Sequence, residues 1–195
     1  MVEFTLAAGL FLVPLLLGAI VIGQNVIREI EVTQVCRDSA HMYSYGIDFS
    51  QSQNQNLLVN LARGLNLQVS GGNDVVTFST ITFVGPNDCV AGGYQANSSS
   101  CANMNQTVIT RRIVVGNTTL KPSAFGTPNS SLMNSSGNVS PAGYLNDTST
   151  RATGFSSLIP LVSGQFAYVS EMYVLTPDVS WSYLGNTAIS ARFIF

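Results

Sequence analysis

The chain has 195 residues, of which 46% are hydrophobic and 9% are charged, and eight basic against ten acidic residues leave a net charge of −2. The scarcity of Lys and Arg excludes a basic nucleic-acid-binding protein, because such a protein needs a positive face to neutralise phosphates. The same low charge excludes a charged coiled coil and a chain kept disordered by its charge. The length suits one domain, or one domain with an appendage.

The first predicted element is a stem helix that contains no charged residue over the twenty residues from Phe4 to Gly23. A helix of that length rises about 30 Å, which is the thickness of a bilayer core. The pattern therefore predicts a membrane anchor. A buried core helix is the alternative, but core helices are usually shorter and keep a polar stripe.

Only Met1, Val2 and Glu3 precede the apolar run, whereas a secretory signal or an ordinary anchor carries Lys or Arg there. This order predicts a stem whose basic leader has been removed, although Met1 also fits a plain initiator. Glu3 has two interpretations that the sequence leaves open. It lies at the lipid headgroups near the positive end of the helix dipole, or it pairs with the N-terminal ammonium of a neighbouring subunit.

The apolar stem is also expected to pack against copies of itself. Pro14 predicts a kink or a local unwinding, because proline lacks an N–H group and clashes with the preceding turn. Small residues such as Gly9 and Gly18 permit close helix packing, although they are common in membrane helices in general. The residues predicted to carry assembly are Glu3, Phe4, Leu6, Leu10, Phe11, Pro14, Leu15, Leu17 and Ile20.

After the apolar run the pattern becomes amphipathic, and one helix is predicted to continue to about Tyr45. Its charged residues place this half in water or against a folded head. A second, short helix is predicted over residues 50–64, with Ser50 or Ser52 as its N-cap and Gly64 at its end.

Beyond this helix the signals change to β-branched and aromatic strands bounded by Gly, Pro and Asn turns. The predicted strands lie in residues 65–71, 74–85, 107–116, 165–175 and 186–195. The predicted fold class is therefore α+β, with a long N-terminal hydrophobic helix and a C-terminal antiparallel β-sheet head. We assign the stem to residues 1–46 and the head to residues 47–195, which are enough for a core of their own.

Residues 117–156 are dominated by Ser, Thr, Asn, Gly and Pro, and this composition predicts a long surface excursion. Seven Asn-x-Ser/Thr sequons lie in or near it. They are either glycan sites on an external surface or chance products of the composition. The sequons begin at Asn97, Asn105, Asn117, Asn129, Asn134, Asn138 and Asn146.

Three cysteines are present. Cys89 and Cys101 bracket a short polar loop, and a disulfide between them would stabilise the head by about 3 kcal/mol in the loop-entropy model. Such a bond fits an oxidising compartment outside the cytoplasm. Cys36 is expected to be a buried thiol, with an intermolecular bridge as the alternative. A metal site is not expected, because the sequence has no Cys-x-x-Cys pair and only one histidine, His41.

Catalytic motifs for a serine hydrolase, a phosphate-binding loop or a zinc protease do not occur in the sequence. His41 lies near Asp38 on the amphipathic helix, so a Ser/His/Asp site is an alternative. A lone helical histidine is more often structural. We expect no enzymatic activity and no cofactor.

The stem begins with the motif V-E-F-T-L at Val2, and its helix closes with C-R-D-S-A-H-M-Y over residues 36–43. These features resemble the TadE-like pilins and pseudopilins of bacterial tight-adherence (Tad) systems, whose stems begin V-E-F-[AT]-L and whose helices end in an A-R-x-x-A-R-Y-like stretch. The strands at 166–175 and 188–195 are similar to the family's C-terminal end. The middle, 85–160, is longer and more polar than the family pattern.

The resemblance implies a precursor anchored in the bacterial inner membrane, with a basic leader that prepilin peptidase removes. It implies the pilus assembly machinery and further copies of the chain as partners. The assembled product would be a type IV-like pilus at the cell surface, with the stems in its core. Glu3 takes the role of the family's stem acid if two residues precede Met1.

Three functions are compatible with these observations. The first is a structural subunit of the pilus filament. The second is a minor pseudopilin that stays near the inner membrane and primes assembly. The third is a membrane-anchored adhesive or binding module that works as a monomer, with the polar excursion as its recognition surface.

Overall fold

Residues 8–175 and 188–195 are described by a computed structural model. They confirm the predicted α+β class, because a long N-terminal helix is followed by a four-stranded antiparallel sheet. A π-helical turn, Ala8–Leu12, leads into the helices α1 (Val13–Ser44), α2 (Ser52–Leu61), α3 (Pro86–Ala91) and α4 (Pro141–Asn146). The strands are β1 (Asp74–Val84), β2 (Gln106–Gly116), β3 (Phe166–Leu175) and β4 (Ala188–Ile194).

The strands lie in the order β2-β1-β3-β4, and every neighbouring pair is antiparallel. The register between β1 and β2 shifts between Thr80 and Ile81. Side chains alternate along a strand, so Val76 and Phe78 point to one side of the sheet and Ile81 points to the other. Both sides are covered, and this explains why β1 is buried along almost its whole length.

The C-terminal part of α1 belongs to the core of the head. Its buried residues recur at intervals of three and four, which places them on one face of the helix. They are Val32, Val35, Cys36, Ser39, Ala40 and Tyr43. Leu58 of α2 joins them against the sheet, and Phe49 stacks on Phe78 with ring centroids 4.3 Å apart. Burying one side chain of this size contributes about 1.5–3 kcal/mol.

The polar stretch 117–156 covers the opposite side of the sheet and one end of the head. It has no strand in its fully described length, as expected for an excursion, but it contains α4 and three 3-10 turns. Phe125 and Phe155 pack on Ile81 and Val169, and Leu145 packs near the disulfide. The expectation of a simple surface loop is therefore incomplete, because isolated apolar residues anchor this stretch to the sheet.

The second helix differs from its predicted limits. It begins after Gln51 without a side-chain cap and ends at Leu61, so neither predicted serine caps it. The backbone N–H of Ser50 instead donates to Oδ1 of Asp48, 2.9 Å away. Gly64 lies beyond the helix end, in the 3-10 turn Arg63–Leu65.

Residues 65–71 do not form the predicted strand. Asn66 adopts a left-handed backbone with φ 59°, which breaks an extended conformation. A single isolated bridge joins Ser70 to Gly116. Leu65 and Leu67 are buried in the core beneath the helices. Their apolar pattern therefore reflects burial of a loop rather than strand pairing.

Candidate assembly surface

The stem projects from the head as an uncovered helix. Val32 is the first fully buried residue of α1, and the described residues from Gly9 onward to that point are exposed or only partly buried. The helical stretch Gly9–Ser44 is long and apolar enough, by length and composition, to cross a membrane. Its most apolar part is not buried against any part of the described head.

The large side chains predicted to carry assembly lie on this uncovered stretch. Leu10, Phe11 and Leu15 are each more than 70% exposed, and Leu17 and Ile20 are about half exposed. Glu3, Phe4 and Leu6 lie outside the described residues. Exposed apolar area of this extent is unfavourable in water. Because the head does not cover the stem, its apolar surface is suited to contact with lipid or with another molecule.

Pro14 stands where the helical geometry changes. The π-helical turn Ala8–Leu12 ends just before it, and α1 begins with Pro14 in its first turn. Proline has no N–H to donate to the carbonyl of Leu10, and its ring crowds that carbonyl. The expected local unwinding at Pro14 agrees with this wider turn.

Small polar side chains fix α1 to the sheet. Cys36 Sγ lies 3.5 Å from the carbonyl oxygens of Ser170 and Ala191, and the hydroxyls of Ser39 and Ser170 are 3.4 Å apart. One turn later, the Tyr43 hydroxyl is 2.7 Å from that of Thr80. Cys36 is fully buried, which confirms the predicted buried thiol and leaves it no access to a partner molecule.

The connection after α1 is locked by an ion pair. Arg111 on β2 pairs with Asp48, which follows the end of the helix. Partial burial raises the pKa of Asp48, but hydrogen bonds from Ser50 and the Arg111 charge outweigh this effect and lower it overall. The charged pair therefore ties the chain reversal to the edge strand.

A second acidic residue lies between the stem and the start of the sheet. Asp74, the first residue of β1, is 2% exposed, and within the described chain neither carboxylate oxygen has a hydrogen-bond partner. Burial raises its pKa to about 6, although the positive charge of Arg28 on α1 opposes this shift. No local sequence pattern predicts this interaction, because Arg28 and Asp74 are far apart along the chain.

A charged cluster fastens the polar stretch to the far side of the sheet. Glu171 accepts hydrogen bonds from Ser123, from the Ala124 backbone and from Arg192, whose guanidinium also lies 4.6 Å from the Phe125 ring centroid. Beside it, the buried Arg112 donates to the Gly126 carbonyl oxygen. Burial lowers the pKa of Arg112 to about 10, while the Glu171 charge opposes this shift.

Next to this cluster, Lys121 lies on the surface with its Nζ 4.9 Å from the centroid of the Tyr173 ring. A cation above an aromatic face is attracted by the ring quadrupole. The contact places the start of the polar stretch against β3. Sequence reasoning did not find either of these charged contacts.

The predicted disulfide is confirmed. Cys89 and Cys101 are bonded, both are fully buried, and twelve positions separate them. Val84, Val108 and Leu145 surround them and form a small core of their own. The bond thus closes a cap over the end of the sheet that α1 does not reach.

Several sequons form local turns. The side-chain oxygens of Asn117, Asn129 and Asn134 each accept a hydrogen bond from the backbone N–H two residues later, at 3.0–3.1 Å. This Asx turn uses the Ser or Thr position of the sequon. Turn formation is therefore a structural reason for such tripeptides in this stretch. The remaining candidates, Asn97, Asn105, Asn138 and Asn146, are exposed or half-buried.

His41 does not join a serine and a carboxylate among the described residues. Its ring lies 4.2 Å from that of Phe195 and 6.3 Å from that of Tyr45. Asp38 pairs instead with Arg37. The described chain also holds no group of three metal-ligating side chains.

Comparisons with known proteins find no match: no family model, no curated protein and no solved structure is similar to this chain.

Proposed function

We propose that the protein is a structural subunit of an extracellular type IV-like filament of the Tad kind, assembled through bundled N-terminal stems. The observation that supports this most is the apolar stem, which projects uncovered from a folded head. A helix of this kind fits anchoring in a membrane before assembly and burial against other stems afterwards. The packing of the C-terminal part of α1 and the Asp48–Arg111 pair join the stem to the head, as a filament subunit requires.

The first test is electron microscopy of appendages sheared from the source cells, with N-terminal sequencing of their subunits. Filaments composed mainly of this chain support the proposal, and a trace amount indicates a minor pseudopilin. Protein that always stays as single copies in the membrane, with no fibre containing it, contradicts the proposal and favours the anchored monomeric module.

The second test uses a matched pair of variants in purified protein after detergent removal. Leu15→Gln changes an exposed apolar residue of the stem, and Val162→Gln changes an exposed apolar residue of the head. Each buried leucine contributes about 1.5–3 kcal/mol, so Leu15→Gln should raise the concentration needed for fibre formation about tenfold or more. Val162→Gln should assemble normally. Equal behaviour of the two variants in sedimentation contradicts assembly through the stem.

A further inference from the structure

A groove of about 360 Å³ lies on the helix-facing side of the sheet, beyond the C-terminal end of α1. The helix covers the sheet as far as Tyr43, and the disulfide-bonded cap covers it again around Val84 and Val108. Thr80, Thr110 and Tyr168 line the groove between these two covers. The groove is therefore a concave site at the end of the head remote from the apolar stem.

One wall of the groove is aromatic. Phe166 is 56% exposed, and Tyr168 lies on the same side of β3 because the two are two residues apart. Tyr43 meets Tyr168 edge to face, with centroids 5.6 Å apart, and its hydroxyl is fixed by Thr80. Tyr43 and Tyr168 are therefore held in place before any ligand arrives, and Phe166 extends the aromatic surface beside them.

The other wall is polar and electrically neutral. Arg111 is held by Asp48 and by the Ser136 carbonyl oxygen, which its Nε reaches at 3.2 Å. Within the described parts of the chain, the Asn138 carboxamide and the Tyr168 hydroxyl have no hydrogen-bond partner. The free groups of the groove are therefore an uncharged amide and a hydroxyl.

Two other classes of ligand fit less well. An added β-strand has no access to this part of β2, because Arg112 donates to Gly137 and Val139 donates to Thr110, each at 2.8 Å. A strongly charged ligand is not favoured, because the charge of Arg111 is already balanced by Asp48. One aromatic wall beside neutral hydrogen-bonding groups instead suits a ring with an apolar face and hydroxyls at its rim.

We propose that this groove binds a neutral sugar ring, as a monosaccharide or as the end of a neutral oligosaccharide. The C–H face of the ring lies on Phe166 and Tyr168, and its hydroxyls bond to the Asn138 carboxamide and the Tyr168 hydroxyl. The site is complete within one copy of the chain. It therefore goes beyond filament assembly and does not depend on it.

The test is titration of the full-length protein in a phosphocholine detergent, produced in cells without N-glycosylation because Asn138 begins a sequon. The probes are the methyl glycosides of glucose, galactose, mannose and N-acetylglucosamine, with glucuronate as the charged probe. Saturable binding of a neutral glycoside is expected by calorimetry. Phe166→Ala and Asn138→Ala should each weaken it about tenfold or more, whereas Val162→Ala, an exposed apolar change outside the groove, should not.

The inference is overturned if none of the four neutral glycosides binds saturably, if binding survives both groove substitutions, or if glucuronate binds best. Self-association that Phe166→Ala abolishes, without glycoside binding, assigns the groove to a second copy and also overturns it. Thermal unfolding of each variant verifies that the head is folded. A protein that does not form filaments can still be tested for glycoside binding. The sugar-binding proposal and the filament proposal can therefore fail independently.

Discussion

Asp74 is a buried carboxyl group for which folding raises the pKa to about 6, against 3.8 ordinarily. The folded protein therefore holds the proton more tightly than the unfolded chain does. By linkage, the free energy of unfolding should fall as pH rises from about 4 to about 6, by on the order of 1–3 kcal/mol. Asp74→Asn should remove this part of the pH dependence, as measured by denaturant unfolding at several pH values. The half-buried Asp38, changed to Asn, is the control. An identical pH profile in all three proteins would contradict the assignment.

Glu171 accepts hydrogen bonds from Ser123 and Ala124 and so helps to hold the polar stretch against the sheet. Glu171→Gln removes the charge next to Arg112 and Arg192 and leaves a buried guanidinium without compensation. We expect a loss of about 2 kcal/mol in the free energy of unfolding, and faster proteolysis near Ser123. Glu29→Gln, on the exposed side of α1, provides the comparison. Equal stability and equal proteolysis of these two variants would show that Glu171 does not hold the polar stretch in place.

At the scale of elements, the disulfide joins α3 to the loop before β2 at the end of the sheet that α1 leaves uncovered. Cys89→Ser with Cys101→Ser should lower the free energy of unfolding by about 3 kcal/mol, because the open chain regains its loop entropy. Chemical denaturation of the oxidised, reduced and doubly substituted proteins measures this loss. If reduction of the disulfide leaves the denaturation midpoint unchanged, the disulfide does not stabilise the head, and apolar burial alone holds this region together.

The elements differ in how far the sequence determines them. The stem and the four long strands follow from apolar periodicity, because burial of one face dominates their energetics. Residues 65–71 were predicted as a strand, but their leucines are buried in a loop and Asn66 interrupts the extended backbone. Neither predicted serine caps α2, because the helix begins at Ser52 with Gln51 at the N-cap position. The contacts of Asp74, Glu171 and the aromatic groove join remote segments, so no local pattern reveals them.

The whole molecule consists of a head that folds around the end of its own stem. Core burial on α1 begins at Val32, so a variant that starts at Gln24 keeps the complete described core. This variant should be soluble without detergent, monomeric, and within a few degrees of the full chain in thermal midpoint. Light scattering and calorimetry measure these properties. Aggregation of the shortened protein would indicate that the apolar run also supports the fold.

Lys121, held over Tyr173, is the only lysine in the sequence. Apart from the terminal amine, an amine-reactive fluorophore therefore has a single attachment point, on the side of the sheet away from α1. If the chain assembles as proposed, dyes attached to Lys121 would report the spacing of neighbouring copies by energy transfer and leave the stem unmodified.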